Sequence, residues 1–198
     1  LKFTELEANA PGGGGGGSAD TGGTSRSIRA CGQTHRGRAA CVDATADRPN
    51  FGCRGRSRVC ELSSGFTPDP WAFRLTAGGG RDPLNVATLN LRDSADNEAC
   101  GVSYITPRPD FRFVFETGAS FDFLRFYVKA SEEADATLLI NTPDGSWRCN
   151  DDSHDSRNPT VDFRNPQAGR YDIWVGTYTG SRQNRARLFV TELEENHP

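Results

Sequence analysis

The densest group of residues able to do chemistry is Asn150-Asp151-Asp152-Ser153-His154-Asp155, with Asn158 close behind. Several carboxylate and carboxamide oxygens in one turn suit a hard cation such as calcium, which takes about six to eight oxygen ligands. Asn150, Asp151, Asp152, Asp155 and Asn158 are the expected metal ligands, with Ser153 and backbone carbonyls completing the shell. The loop is not an EF-hand, because that motif's glycine and terminal glutamate are missing. The same residues also read as a solvated acidic turn whose side chains bond nearby backbone N–H groups. Spacing alone leaves both open.

Catalytic constellations are absent from the sequence. Its histidines are His35, His154 and His197. Ser153, His154 and Asp155 are adjacent, and adjacent residues do not line up a nucleophile, a base and an orienting carboxylate. The glycines from Gly12 to Gly17 read as a linker, since no strand leads in and no helix leads out as a phosphate cradle requires. The chain is therefore expected not to be an enzyme. Trp147, beside the acidic loop, is the one tryptophan placed to touch a ligand such as a sugar, whereas Trp174 stands in an apolar strand and reads as core.

The formal net charge of −3 argues against a nucleic-acid or membrane-surface partner. No apolar run approaches the ~20 residues of a membrane span. The cysteines are Cys31, Cys41, Cys53, Cys60, Cys100 and Cys149. Their spacing fits no zinc pattern, and an even number set among Gly, Ser and Arg reads as a disulfide framework from an oxidising compartment. An extracellular or cell-surface location follows. Cys100 and Cys149 each border a strand and are expected to pair across a sandwich, with a bridge back to the cluster as the alternative. The four clustered cysteines admit three connectivities.

The elements that must position these groups are strands. Residues 1–11 read as a lone strand, 12–24 as a Gly-rich linker and 25–64 as a Cys- and Arg-rich segment that needs disulfide staples. Residues 65–198 read as a β-sandwich. Candidate strands are Trp71–Thr76, Asn85–Leu91, Val102–Ile105, Phe111–Glu116, Phe121–Lys129, Thr137–Asn141, Thr160–Phe163, Tyr171–Thr177 and Arg187–Leu193. Phe111, Phe113 and Phe115 alternate with period two, and the Phe121–Val128 stretch suggests a bulge or change of face. Thr142-Pro143-Asp144-Gly145 and Asn165-Pro166 are turn chemistry. No segment shows a capped helical period. The expected class is all-β.

From about Cys100 to Leu193 the chain resembles the bacterial pre-peptidase C-terminal domain family. The matching residues are Pro109-Asp110-Phe111, Ala134-Asp135-Ala136-Thr137-Leu138, Thr142-Pro143-Asp144-Gly145-Ser146-Trp147 and Cys149-Asn150-Asp151-Asp152-Ser153. Asn158-Pro159 and Gly169-Arg170-Tyr171-Asp172-Ile173-Trp174-Val175-Gly176 complete the match. The resemblance covers about half the chain. It implies a jelly-roll-like β-sandwich, non-catalytic, appended to secreted bacterial proteins and in some members calcium-binding. It gives no counterpart for residues 1–64.

The opening Leu1-Lys2-Phe3-Thr4-Glu5-Leu6-Glu7-Ala8-Asn9-Ala10-Pro11 matches the closing Leu188-Phe189-Val190-Thr191-Glu192-Leu193-Glu194-Glu195-Asn196-His197-Pro198 at seven of eleven positions. One explanation is a tandem array in which residues 1–11 end a preceding module. The other is a detached strand that adds to a neighbouring copy, with Leu1, Phe3 and Leu6 as anchors at the subunit interface. Either gives head-to-tail contacts that close into rings or run on as filaments. The expected function is a secreted structural protein assembled from copies of itself. An accessory module of a hydrolase or adhesin, binding carbohydrate or protein, is the alternative.

Overall fold

The computed structural model describes residues 31–33, 39–42, 49–50, 59–116, 122–180 and 183–198, with side-chain surroundings from Cys60 onward. The expected opening strand with Leu1, Phe3 and Leu6, and the linker after it, lie outside the described residues. So do the side chains of Cys31, Cys41 and Cys53.

No α-helix occurs among the described residues. Short strands β1 (Cys31–Gln33), β2 (Ala39–Val42) and β3 (Pro49–Asn50) form a small sheet in the order β1-β2-β3. The remaining strands form two facing sheets. The four-stranded sheet is ordered β12 (Thr160–Arg164), β9 (Phe123–Ala130), β14 (Asn184–Thr191), β5 (Trp71–Ala77).

The other sheet holds seven strands. It runs from β11 (Trp147–Asn150) through β10 (Ala136–Asn141) to β13 (Gly169–Thr177). The far edge of β13 is shared. Its first half pairs with β8 (Phe111–Glu116), and Thr177 pairs with β7 (Tyr104–Ile105), next to β6 (Leu84–Asn85). Strand β4 (Val59–Ser63) adds parallel to β8. The sheet therefore begins inside the Cys- and Arg-rich segment, ahead of Gly65, and Cys60 is fully buried and disulfide-bonded there.

Period-two alternation sets which side chains meet between the sheets. Phe111, Phe113 and Phe115 of β8 face inward with Leu124, Phe126 and Val128 of β9 and Tyr171, Ile173 and Val175 of β13. Phe73 packs on Phe111 at 4.1 Å between ring centroids, and Phe113 meets Phe126 edge-on at 5.3 Å. Each such ring contributes roughly 1.5–3 kcal/mol by leaving water.

A second, smaller core lies on the outer face of the seven-stranded sheet. Val86, Cys100, Ile105, Leu139 and Trp174 are buried there under residues 84–103. Cys100 and Cys149 form the expected disulfide, with Cα atoms 5.8 Å apart. The bridge pins that covering segment onto the outer face rather than crossing between the sheets. Gly176 permits this close layer, because a Cβ there would fall 2.5 Å from both Ser103 Oγ and Thr137 Oγ1.

Three expectations about strands change. Asn85–Leu91 is a strand only at Leu84–Asn85, because Asn85 Oδ1 accepts from Ala87 N at 3.1 Å and starts a 3₁₀ turn over Val86–Leu89. Val102–Ile105 shrinks to Tyr104–Ile105. Strand β9 has no bulge: its ladders to β12 and β14 are continuous, and residues 123–128 are all buried because both faces are covered.

Candidate functional site: an acidic turn and a cationic sheet face

Residues 151–159 carry the chain from β11 in one sheet to β12 in the other. Ser153 and Ser156 exchange backbone hydrogen bonds at 3.1 and 3.0 Å. Between them His154 and Asp155 have φ of 50° and 56°, the pair of left-handed residues that a type I′ turn requires. Asn150 Oδ1 accepts from Thr160 N at 2.9 Å, and Asn158 Oδ1 accepts from Ala130 N at 2.8 Å. Ser153 Oγ donates to Asn158 O at 2.7 Å.

The two asparagines thus tie the turn to the starts and ends of strands. Asp151, Asp152 and Asp155 remain exposed on it. Burial, then the nearby Asp151 and Asp135 carboxylates, raise the Asp152 carboxyl above its ordinary value. Among the described residues, no group of three or more His, Cys, Asp or Glu side chains is close enough together to hold a metal ion. His154 stacks on His197 of the C-terminal turn at 4.3 Å, and burial followed by His197 lowers its pKa.

Asn150 and Asp151 also line a recess of about 260 Å³, with Asp96, Glu98 and the Cys100–Cys149 bridge on its other walls. Trp147 is not part of that lining. Its half-buried ring packs on Trp174 at 5.6 Å, while its carbonyl accepts from Ser94 N. Asp93 closes the corner, accepting from Cys149 N at 2.8 Å and forming an ion pair with Arg148 at 2.8 Å.

The end of the sandwich is built from the C-terminal turn. Thr191 Oγ1 donates to Asp69, whose other oxygen takes Glu192 N at 2.9 Å. Glu192 accepts from Gly65 N through both carboxylate oxygens, at 2.9 and 2.8 Å. Burial first, with the Asp69 carboxylate adding to it, pushes the Glu192 carboxyl up to about 7 against the downward pull of the Gly65 bond. Arg125 grips Asp162 at 2.6 and 2.7 Å and donates to the carbonyls of Glu194 and Asn196. Arg164 pairs with Glu194 over the same region. One half of the four-stranded sheet's outer face is thereby covered.

The other half is open and cationic. Register places Arg187 of β14 directly opposite Lys129 of β9 on one side and Arg74 of β5 on the other. All three are exposed, as is Arg185 two residues before Arg187. Like charges directly opposite across strands destabilise a sheet. The next row pairs Phe189 with Tyr127, stacked at 4.7 Å and 5° between planes. The Lys129 ammonium sits 5.6 and 5.8 Å from those two ring centroids. Arg74, Lys129, Arg185, Arg187 and Phe189 bound a shallow depression of about 880 Å³. Sequence reasoning did not single them out. Alternation in Arg185-Ala186-Arg187-Leu188 signals which side chains face outward, but not which strands flank them.

No family profile matches the chain, and no curated protein matches it. Among solved structures, the chain is similar to the pre-peptidase C-terminal domain of a collagenase from Bacillus anthracis. The identity is 9%, over 70% of this chain and 99% of that one, with a TM-score of 0.37. That domain is of the family that residues 100–193 resemble. A second similar structure is PliG of Aeromonas hydrophila, a periplasmic inhibitor of g-type lysozyme. It shares 10% identity over 68% of this chain and 97% of that one, with a TM-score of 0.30.

Proposed function

We propose that this chain is a non-catalytic binding module of a secreted protein, and that it engages an anionic partner through the outer face of its four-stranded sheet. One observation carries the reading: Lys129, Arg187 and Arg74 stand in register across three adjacent strands, on an exposed face, in a protein of net charge −3. Lys129 and Arg187 directly opposite each other cost stability, and a bound anion relieves that cost. The Cys100–Cys149 disulfide supports an oxidising, extracellular or periplasmic setting. Retention of the full chain on a carboxylate matrix at low ionic strength tests it. Arg185→Gln with Arg187→Gln should abolish retention. A wild-type chain that flows through would remove the reading.

A second reading, assembly from copies, is favoured by the repeated terminus. Of the positions identical between the two ends, Leu188 and Thr191 are fully buried. Glu192 holds Gly65, and Asn196 Nδ2 donates to Thr191 Oγ1 at 2.9 Å. The copy therefore carries the residues that seat a strand in this sandwich. Since β14 is an interior strand between β9 and β5, residues 1–10 would replace the β14 of the next copy rather than extend an edge. Filaments or rings in negative stain that vanish on deleting residues 1–10 would favour it. Their absence from the full chain would end it.

A further inference from the structure

We propose that the cationic sheet face binds a linear acidic polysaccharide, one bearing a carboxylate or sulfate on successive sugars. The proposal rests on the binding-module reading and names its ligand class.

The geometry is a line rather than a nest. Neighbouring strands lie ~4.7–4.9 Å apart, so Lys129, Arg187 and Arg74 span about 10 Å perpendicular to the strands. Arg185, two residues from Arg187 on the same face, extends the line into a grid by about 7 Å along β14. A single small anion wants donors converging on one point. A row of parallel cations suits a chain that repeats its charge. Arginine adds a planar fork that holds carboxylate or sulfate through two parallel hydrogen bonds.

The surroundings decide among polyanions. A protein partner buries about 800 Å² per side around an apolar centre of anchoring side chains. This face offers no such centre, since Tyr127 is 2% exposed and Phe189 is half-buried against it. A single-stranded nucleic acid gains from aromatic faces open for base stacking. Here the two rings stack on each other with Lys129 close by. An acidic polysaccharide asks for neither an apolar centre nor open rings. It needs spaced cations and a shallow trough, which Arg74, Lys129, Arg185 and Arg187 line.

The test is titration calorimetry of the full chain against polygalacturonate, heparin, polyglutamate and single-stranded DNA of similar charge. Either polygalacturonate or heparin should bind ~10-fold or more tighter than polyglutamate and DNA, about 1.4 kcal/mol or more. Which of the two binds tells carboxylate from sulfate. Arg185→Gln with Arg187→Gln should lose ~10-fold or more, Arg157→Gln on the acidic turn should keep wild-type affinity, and added salt should weaken binding. Equal or tighter binding of polyglutamate or DNA overturns the carbohydrate class and leaves the binding face standing. Polysaccharide binding unchanged in the double variant overturns the site. No binding of any polyanion overturns both this proposal and the module reading. Self-association that salt disperses and the double variant abolishes would assign the face to a second copy instead.

Discussion

Glu192 shows how a single half-buried carboxyl couples the sandwich to pH. Its ordinary value is 4.5 and burial brings it to about 7, so the native state holds its proton more tightly than the unfolded chain does. The stability it contributes is full below about pH 4.5 and is lost as pH rises through about 7. Glu192→Gln keeps an oxygen for Gly65 N and removes the titration. In thermal melts the variant should match the wild type near pH 4.5 and exceed it above about pH 7. Equal melting temperatures at both ends would mean that the native carboxyl titrates at its ordinary value. On the acidic turn, Asn150 and Asn158 already accept strand N–H groups and Asp151 Oδ1 accepts from Asp152 N at 3.1 Å, so much of the expected ligand set is engaged with backbone. The melting temperature should therefore be indifferent to calcium and to a chelator. A rise with calcium would favour the cation reading of that turn instead.

At the scale of elements, the cation row sets stability against recognition. Arg187 faces Lys129 across the ladder to β9, so Arg187→Thr should stabilise the fold by about 0.2–1 kcal/mol while weakening anion binding. Calorimetric melts should show the gain at low ionic strength and a smaller one when salt screens the row. The covering segment on the opposite sheet depends on its bridge. Cys100 and Cys149 are 49 residues apart in sequence, and replacing both by Ser should cost about 2–5 kcal/mol in denaturant unfolding. Amide exchange should then speed first around Val86 and Leu91, over the smaller core, while Phe113 and Ile173 stay protected.

For the whole molecule, the two readings of function predict different solutions. A module that binds through a sheet face is a monodisperse monomer in sedimentation velocity, and that is the outcome expected here. Large species that disappear on deleting residues 1–10 would transfer the function to assembly. The sandwich favours the first outcome in one respect. Its C-terminal turn is already closed by Asp69, Gly65, Arg125 and Arg164, so exchanging β14 between copies means opening every one of those contacts.

Much of this molecule was legible from residues in order. Alternating aromatics in Phe111–Glu116, turn residues such as Pro143-Asp144-Gly145 and the absence of a helical period determined an all-β chain, because each signal is complete within a few residues. The Cys100–Cys149 pair was the preferred reading of two cysteines bordering strands, and the structure chose it over a bridge back to the cluster. What the tertiary structure alone decided were relations between distant segments. Strand β4 joined the sheet in parallel to β8, and Asn150 and Asn158 turned their oxygens to strand ends. Lys129, Arg187 and Arg74 became one row only when β9, β14 and β5 took their register. Period-two alternation says that a side chain faces outward. Which charges it then confronts depends on strand order and offset, and those are set by how the two sheets bury their apolar faces against each other.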